Sequence, residues 1–211
     1  MKKFFSIFIL FILLNTLITP IKAYSIDNEN ILTNSSVSLK SDERKLWIDH
    51  VLWTRNFIIS DLSSLPDKDF ILQRLLKNQD DIGNSIKPYY GEEAGNKLSK
   101  LLREHISIAG QVVDAAKSNK KAELDKYNKL WYKNADEIAE FLSKANPNLQ
   151  ESELKNMLHK HLEFVTNEAV ARINKNWTAD IEAYDKGEDH MIMFSDIISD
   201  AIIKQFPEKF S

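Results

Sequence analysis

Six residues pair an ion-binding or hydrogen-bonding side chain with a place in or beside an apolar helical stripe: His50, Asp81, His105, Asn134, His161 and Glu168. The clearest case lies between Leu154 and Tyr184. At about 100° per residue, Leu158, His161, Val165, Glu168, Ala169 and Arg172 fall within roughly 60° of one direction. Lys160, Glu163, Asn167 and Lys175 fall elsewhere, which leaves an imidazole, a carboxylate and a guanidinium among core residues. Charge taken out of water must be paired, coordinated or neutralised. Histidines and carboxylates projecting inward from separate helices are how bundles build metal sites. That donor set suits zinc, iron, manganese, nickel or copper(II), so the expected cofactor is a divalent transition metal. A plainer reading stands beside it at each position. An interior histidine is commonly neutral and hydrogen-bonded, Glu168 and Arg172 at helical spacing form an ion pair, Asp81 answers Arg74 or Arg55, and Asn134 is a hydrogen-bonding spacer.

The elements that must position these groups read as an all-α fold, an antiparallel up-down bundle of five to six helices. Residues 1–23 form a signal peptide, 24–41 a polar, flexible lead-in and 42–211 the bundle domain. Ser41-Asp42-Glu43-Arg44 opens the first helix with a cap and first-turn acids. The second spans 67–86, Lys87 to Gly91 breaks or kinks the chain, and helices over 92–117 and 121–145 follow. After Asn146-Pro147-Asn148 the central stretch runs to Lys186, Gly187 ends it, and a last helix from His190 stops before Phe206-Pro207. Counting about 1.5 Å per residue from the connecting turns puts His105, Asn134 and His161 at one level. His50 and Asp81 fall one to two turns above them, so one site and two sites are both open.

Composition fixes the address and excludes several chemistries. Lys2 and Lys3, an apolar run from Phe4 to Leu14 and Ile21-Lys22-Ala23 have the three-part form of a secretory signal peptide. Asn15, Thr16 and Pro20 interrupt the run short of the ~20 apolar residues that span a bilayer, so no transmembrane segment is expected after cleavage. The chain has no cysteine, which removes disulfides, zinc ribbons, iron–sulfur clusters and thiol catalysis. Of its 28 basic residues three lie in the leader, so the mature chain carries 25 against 31 acidic ones, a net charge of −6. No nucleic acid is expected as a partner. There is no Glu-x-x-His pair of the di-iron bundles, no His-Glu-x-x-His, no Gly-rich phosphate loop and no nucleotide fingerprint.

The phrases His50-Val51-x-Trp53-Thr54-Arg55, Asn78-Gln79-x-Asp81-Ile82-Gly83, Pro88-Tyr89-Tyr90-Gly91, Trp131-x-x-Asn134-Ala135-Asp136 and Gln205-Phe206-Pro207 span nearly all of residues 42–210. With them the chain resembles a group of secreted helical proteins of Gram-positive bacteria. The resemblance implies export and a helical fold, and assigns no activity.

Two functions follow as expectations. One is a secreted bundle with a transition metal held by His50, Asp81, His105, Asn134, His161 and Glu168, for binding, sensing or metal-assisted chemistry. The other is a metal-free extracellular or envelope-associated interaction bundle whose interior polar groups fix helix register. A third, weaker option is a small-ligand pocket lined by Trp53, Tyr89 and Trp131.

Overall fold

The computed structural model describes residues 33–211; the expected signal peptide and most of the expected lead-in, residues 1–32, lie outside the described residues. Six helices follow one another: α1 Asn34–Leu62, α2 Lys68–Ser85, α3 Lys87–Lys117, α4 Lys121–Ala145, α5 Glu151–Ile173 and α6 Trp177–Gln205, with a short 3-10 turn at Pro207–Lys209. Each helix packs on its neighbours in sequence, and α6 closes the ring against α1. The odd-numbered helices α1, α3 and α5 also meet one another across the middle. Short connections force adjacent helices to run antiparallel. The arrangement is the expected all-α bundle. Its core joins all six helices, from Trp47 and Ile58 through Leu102, Ile138 and Leu162 to Phe194 and Ile202.

Local sequence explains where the helices start and stop, and twice departs from the expectation. The first helix begins at Asn34, well inside the supposed lead-in, because Thr33 serves as its cap and accepts a hydrogen bond from the Ser36 N–H. The polar composition of this segment hid an inward stripe of Ser36, Leu39, Glu43 and Trp47, all buried. Glu43 is therefore a mid-helix core residue and not a first-turn acid. The second departure is the break in the central stretch, which falls at Asn174–Asn176. Lys175 adopts φ 55° and the Asn176 side chain caps α6 by accepting from the Ala179 N–H. Gly187 sits inside α6, buried, where a Cβ would lie 3.4 Å from the Phe164 Cβ.

Three glycines do conformational or steric work. Gly91 takes φ 84°, kinking α3 one turn after Pro88, as the Lys87–Gly91 phrase predicts. Gly83 and Gly95 let α2 and α3 touch backbone to backbone: a Cβ on Gly83 would lie 2.6 Å from the Gly95 carbonyl oxygen, and one on Gly95 2.5 Å from that of Gly83.

Candidate functional site

The three inward histidines come from α1, α3 and α5, the helices that meet in the middle, and all three are buried. His50 Nε2 lies 3.4 Å from His161 Nε2. The His105 and His161 rings are nearly parallel, with centroids 6.3 Å apart. Imidazoles from three helices do converge: His105 and His161 share a level as counted, and His50, for which one site and two were both open, joins them.

Their hydrogen bonds form two directed chains. Trp131 Nε1–H donates to His105 Nε2 over 3.0 Å, and His105 Nδ1–H donates to Asn134 Oδ1 over 2.7 Å. Asn134 then donates through Nδ2 to the Leu101 carbonyl at 3.1 Å, which fixes its amide orientation. An indole N–H only donates, so the acceptor nitrogen of His105 is occupied and its tautomer set. In the second chain Gln79 donates to the Leu75 carbonyl and to Asn78 Oδ1, leaving Oε1 to accept from His50 Nδ1–H at 3.2 Å. His50 Nε2 is then a lone pair, and His161 Nε2–H is the donor across the 3.4 Å gap. The chain ends at His161 Nδ1, which is buried without a partner.

Burial holds all three rings neutral. Desolvation lowers the His50 pKa to about 3, with the nearby His105 adding to it and the Gln79 bond opposing. His105 is lowered to about 4 by desolvation against the Asn134 bond. His161 is lowered well below the ordinary value by burial and then by His50, His105 and His190 around it.

The other expected site residues lie elsewhere. Asp81 is at the surface, one third exposed and paired with Lys77 at 2.8 Å. The groups that face His50 from α2 are Gln79 and, behind it, Asn78. Glu168 belongs to a buried ion cluster and its partner is not Arg172: Arg55 reaches Glu168 at 2.8 Å and Asp180 at 2.9 Å, while Arg172 bonds Asp180 at 2.8 Å. Two cations thus balance two carboxylates, and Arg55 also lies over the Tyr184 ring. Burial pushes Glu168 up to about 7, with Asp180 adding and Arg55 opposing. Among the described residues, no group of three or more histidine, aspartate or glutamate side chains is placed to hold a metal ion. The three aromatics of the supposed ligand pocket are dispersed. Trp131 abuts His105, Tyr89 stacks on Phe210, and Trp53 lies under Arg74.

Four interior polar residues escaped the sequence reading, and each left a trace in it. Glu43 stands four and seven residues before Trp47 and His50, on the same stripe. Its carboxyl is raised by burial, against the pull of neighbouring Ser85 and Trp47. Glu43 Oε1 and Trp47 Nε1 each lack a hydrogen bond. Gln79 interrupts an apolar run, Arg55 lies one turn after Val51, and Asp180 opens α6 from its buried side.

The chain matches no family model, no curated protein and no solved structure.

Proposed function

We propose that this is an exported helical bundle that acts through its outer surface as an extracellular or envelope-associated interaction module, with the buried imidazoles setting helix register. The observation that carries the reading is the full engagement of two of the three buried imidazoles. Both nitrogens of His105 and both of His50 are engaged, with Asn134, Trp131 and Gln79 each turned to serve one ring. Such a network specifies one pairing of helices, because a slip of one residue would strand several buried polar groups at about 1–3 kcal/mol each. The clefts of several hundred Å³ between α2 and α3, between α3 and α4 and between α5 and α6 are superficial and contain none of the three histidines in their walls.

A second reading has its own support. Two nitrogens bound to one tetrahedral ion at about 2.0–2.1 Å would stand about 3.3–3.4 Å apart, and His50 Nε2 and His161 Nε2 are at 3.4 Å. Transition-metal binding at this pair would replace the His161 proton with the ion and keep Gln79 as the group orienting His50. Elemental analysis and thermal melts with zinc, copper, nickel and manganese salts separate the two. The register reading expects no bound metal and no rise in Tm. A Tm that climbs with one metal in the parent and not in His161→Phe establishes the metal reading instead, since an ion bound to the native state alone stabilises it in proportion to occupancy.

A further inference from the structure

The connections at the two ends of the bundle differ in charge and in exposed apolar surface. At one end lie the α1–α2, α3–α4 and α5–α6 turns. Residues 63–70, 117–123 and 172–177 carry six cations, Lys68, Lys117, Lys120, Lys121, Arg172 and Lys175, against the three acids Asp67, Asp69 and Glu123. At the other end, residues 86–93, 145–153 and 205–211 carry only Lys87 and Lys209 against five glutamates. The molecule is acidic overall yet has one basic pole.

The same pole is apolar at its tips. Phe70 is 74% exposed in the first turn of α2, Trp177 is 53% exposed at the start of α6, and Leu65 and Ile173 are also exposed there. Ile173, Trp177, Lys117, Arg172 and Lys175 line one open cleft of about 350 Å³, and no acid lines it. Asp61 takes Lys68 at 3.1 Å and Lys117 at 4.0 Å, Glu123 takes Lys120 at 3.3 Å, and Asp180 takes Arg55 and Arg172, which leaves Asp67 and Asp69 beside Phe70, and the cations Lys121 and Lys175, without an ion pair among the described residues. Phe70 projects into solvent, and Trp177 lies under Arg172 in the cleft with Lys117 and Lys175, so two large rings gain nothing from water. At a bilayer interface the rings enter the headgroup layer while the lysines meet anionic lipid.

We propose that the pole formed by the α1–α2, α3–α4 and α5–α6 connections docks on a bilayer surface bearing anionic phospholipid. Phe70 and Trp177 are the inserting groups, and Lys121 and Lys175 supply the attraction. The proposal rests on the surface-acting reading above and names its partner. It also orients the molecule, because the glutamate-rich pole is repelled by the same lipid.

The experiment uses residues 24–211, whose helices supply the whole of the core described above. Flotation is carried out with vesicles of phosphatidylcholine alone and with phosphatidylglycerol added, while tryptophan emission is recorded. Trp177 is the exposed reporter, since Trp47 and Trp131 are only 4% and 2% exposed and the half-buried Trp53 lies under Arg74, and the Trp177→Ser variant isolates its signal. Binding is expected only to the anionic vesicles, with a blue shift of emission that Trp177→Ser abolishes. Phe70→Ser with Trp177→Ser, and separately Lys121→Glu with Lys175→Glu, should each weaken partitioning at least tenfold. Met193→Ser with Ile197→Ser, which removes exposed apolar groups on another part of α6, should leave it unchanged. Circular dichroism confirms that every variant is folded. Absence of binding to anionic vesicles overturns the proposal, as does equal binding to neutral ones or a shift with inorganic polyphosphate alone. Its failure leaves the register reading standing, because that reading is judged by metal content and Tm.

Discussion

Lowering the pH from 7 to 5 should remove a large part of the stability of this bundle, and the three buried imidazoles set the size of the loss. A histidine whose pKa is depressed in the folded state contributes stability that is complete above its unfolded value, about 6.5, and is lost as pH falls below it. His50, lowered to about 3, and His105, lowered to about 4, remain neutral in the folded protein at pH 5, as does His161. Protons taken up only by the unfolded chain then cost about 2 kcal/mol per ring, about 6 kcal/mol for the three. Glu168 works in the opposite sense. Its raised pKa of about 7 means that the folded form is protonated first, so acidification to pH 5 returns about 2 kcal/mol. Glu43, also raised by burial, acts in the same direction as Glu168. The net loss is about 4 kcal/mol before the Glu43 return, against a total of about 5–15 kcal/mol for a domain. Urea unfolding followed by far-UV circular dichroism at the two pH values measures it directly. With a slope of about 2 kcal/mol/M the midpoint should fall by about 2 M. Glu168→Gln removes the return, so its midpoint should fall further over the same pH interval. A midpoint that holds steady or rises on acidification of the parent would show that the rings are not neutral and buried as described.

Further perturbations test other parts of the same account. Trp131→Phe removes the donor to His105 Nε2 and leaves that nitrogen buried and unpaired, which should cost about 1–3 kcal/mol in urea unfolding beyond the change in volume. Asp180→Asn strips the shared acceptor from Arg55 and Arg172 and should cost about 3–5 kcal/mol, detected as a fall of roughly 10 °C or more in Tm. Asp81→Asn touches only a surface pair with Lys77 and should change stability by less than about 1 kcal/mol. Gly83→Ala forces a Cβ against the Gly95 carbonyl oxygen and the Ser99 side chain, and should cost about 1–3 kcal/mol as α2 is pushed from α3. A Gly83→Ala protein as stable as the parent would mean that the two helices are farther apart than described.

What the sequence disclosed depended on whether period or partner carried the information. Period carries helix type and inward face, so the stripes of Leu98 to Val112 and Trp131 to Leu142 mark real core faces, and His105, Asn134 and His161 arrive where the level count puts them. Position along a helix does not identify the partner across the gap. Asp81 was paired with His50 on level alone, yet Asp81 faces outward and Gln79, two residues earlier, reaches the ring. At 100° per residue two positions turn the side chain by about 200°, the whole difference between core and water. Charge misled for a related reason. Glu43 looks like a first-turn acid until Thr33 moves the helix start, and Asp180 stands in the first turn of α6, where an acid needs no distant partner, yet Arg55 reaches it from α1, 125 residues away in sequence. Arg55 at Asp180, and Ser85 of α2 beside Glu43, are neighbours that no local window contains. The ion cluster and the two imidazole chains therefore act on the same quantity, the pairing of distant helices. Arg55 ties α1 to α5 and α6, Gln79 ties α2 to α1, and Trp131 with Asn134 ties α4 to α3. His50 to His161 then joins α1 to α5 across the centre, so a system of polar contacts in two hydrogen-bonded sets, with the His105 and His161 rings facing each other between them, reaches every helix of the ring. A metal at His50 and His161 would strengthen one link of that system, whereas protonating the rings breaks three together. That is why the response to acid, more than the response to metal salts, reports on what holds the six helices in register.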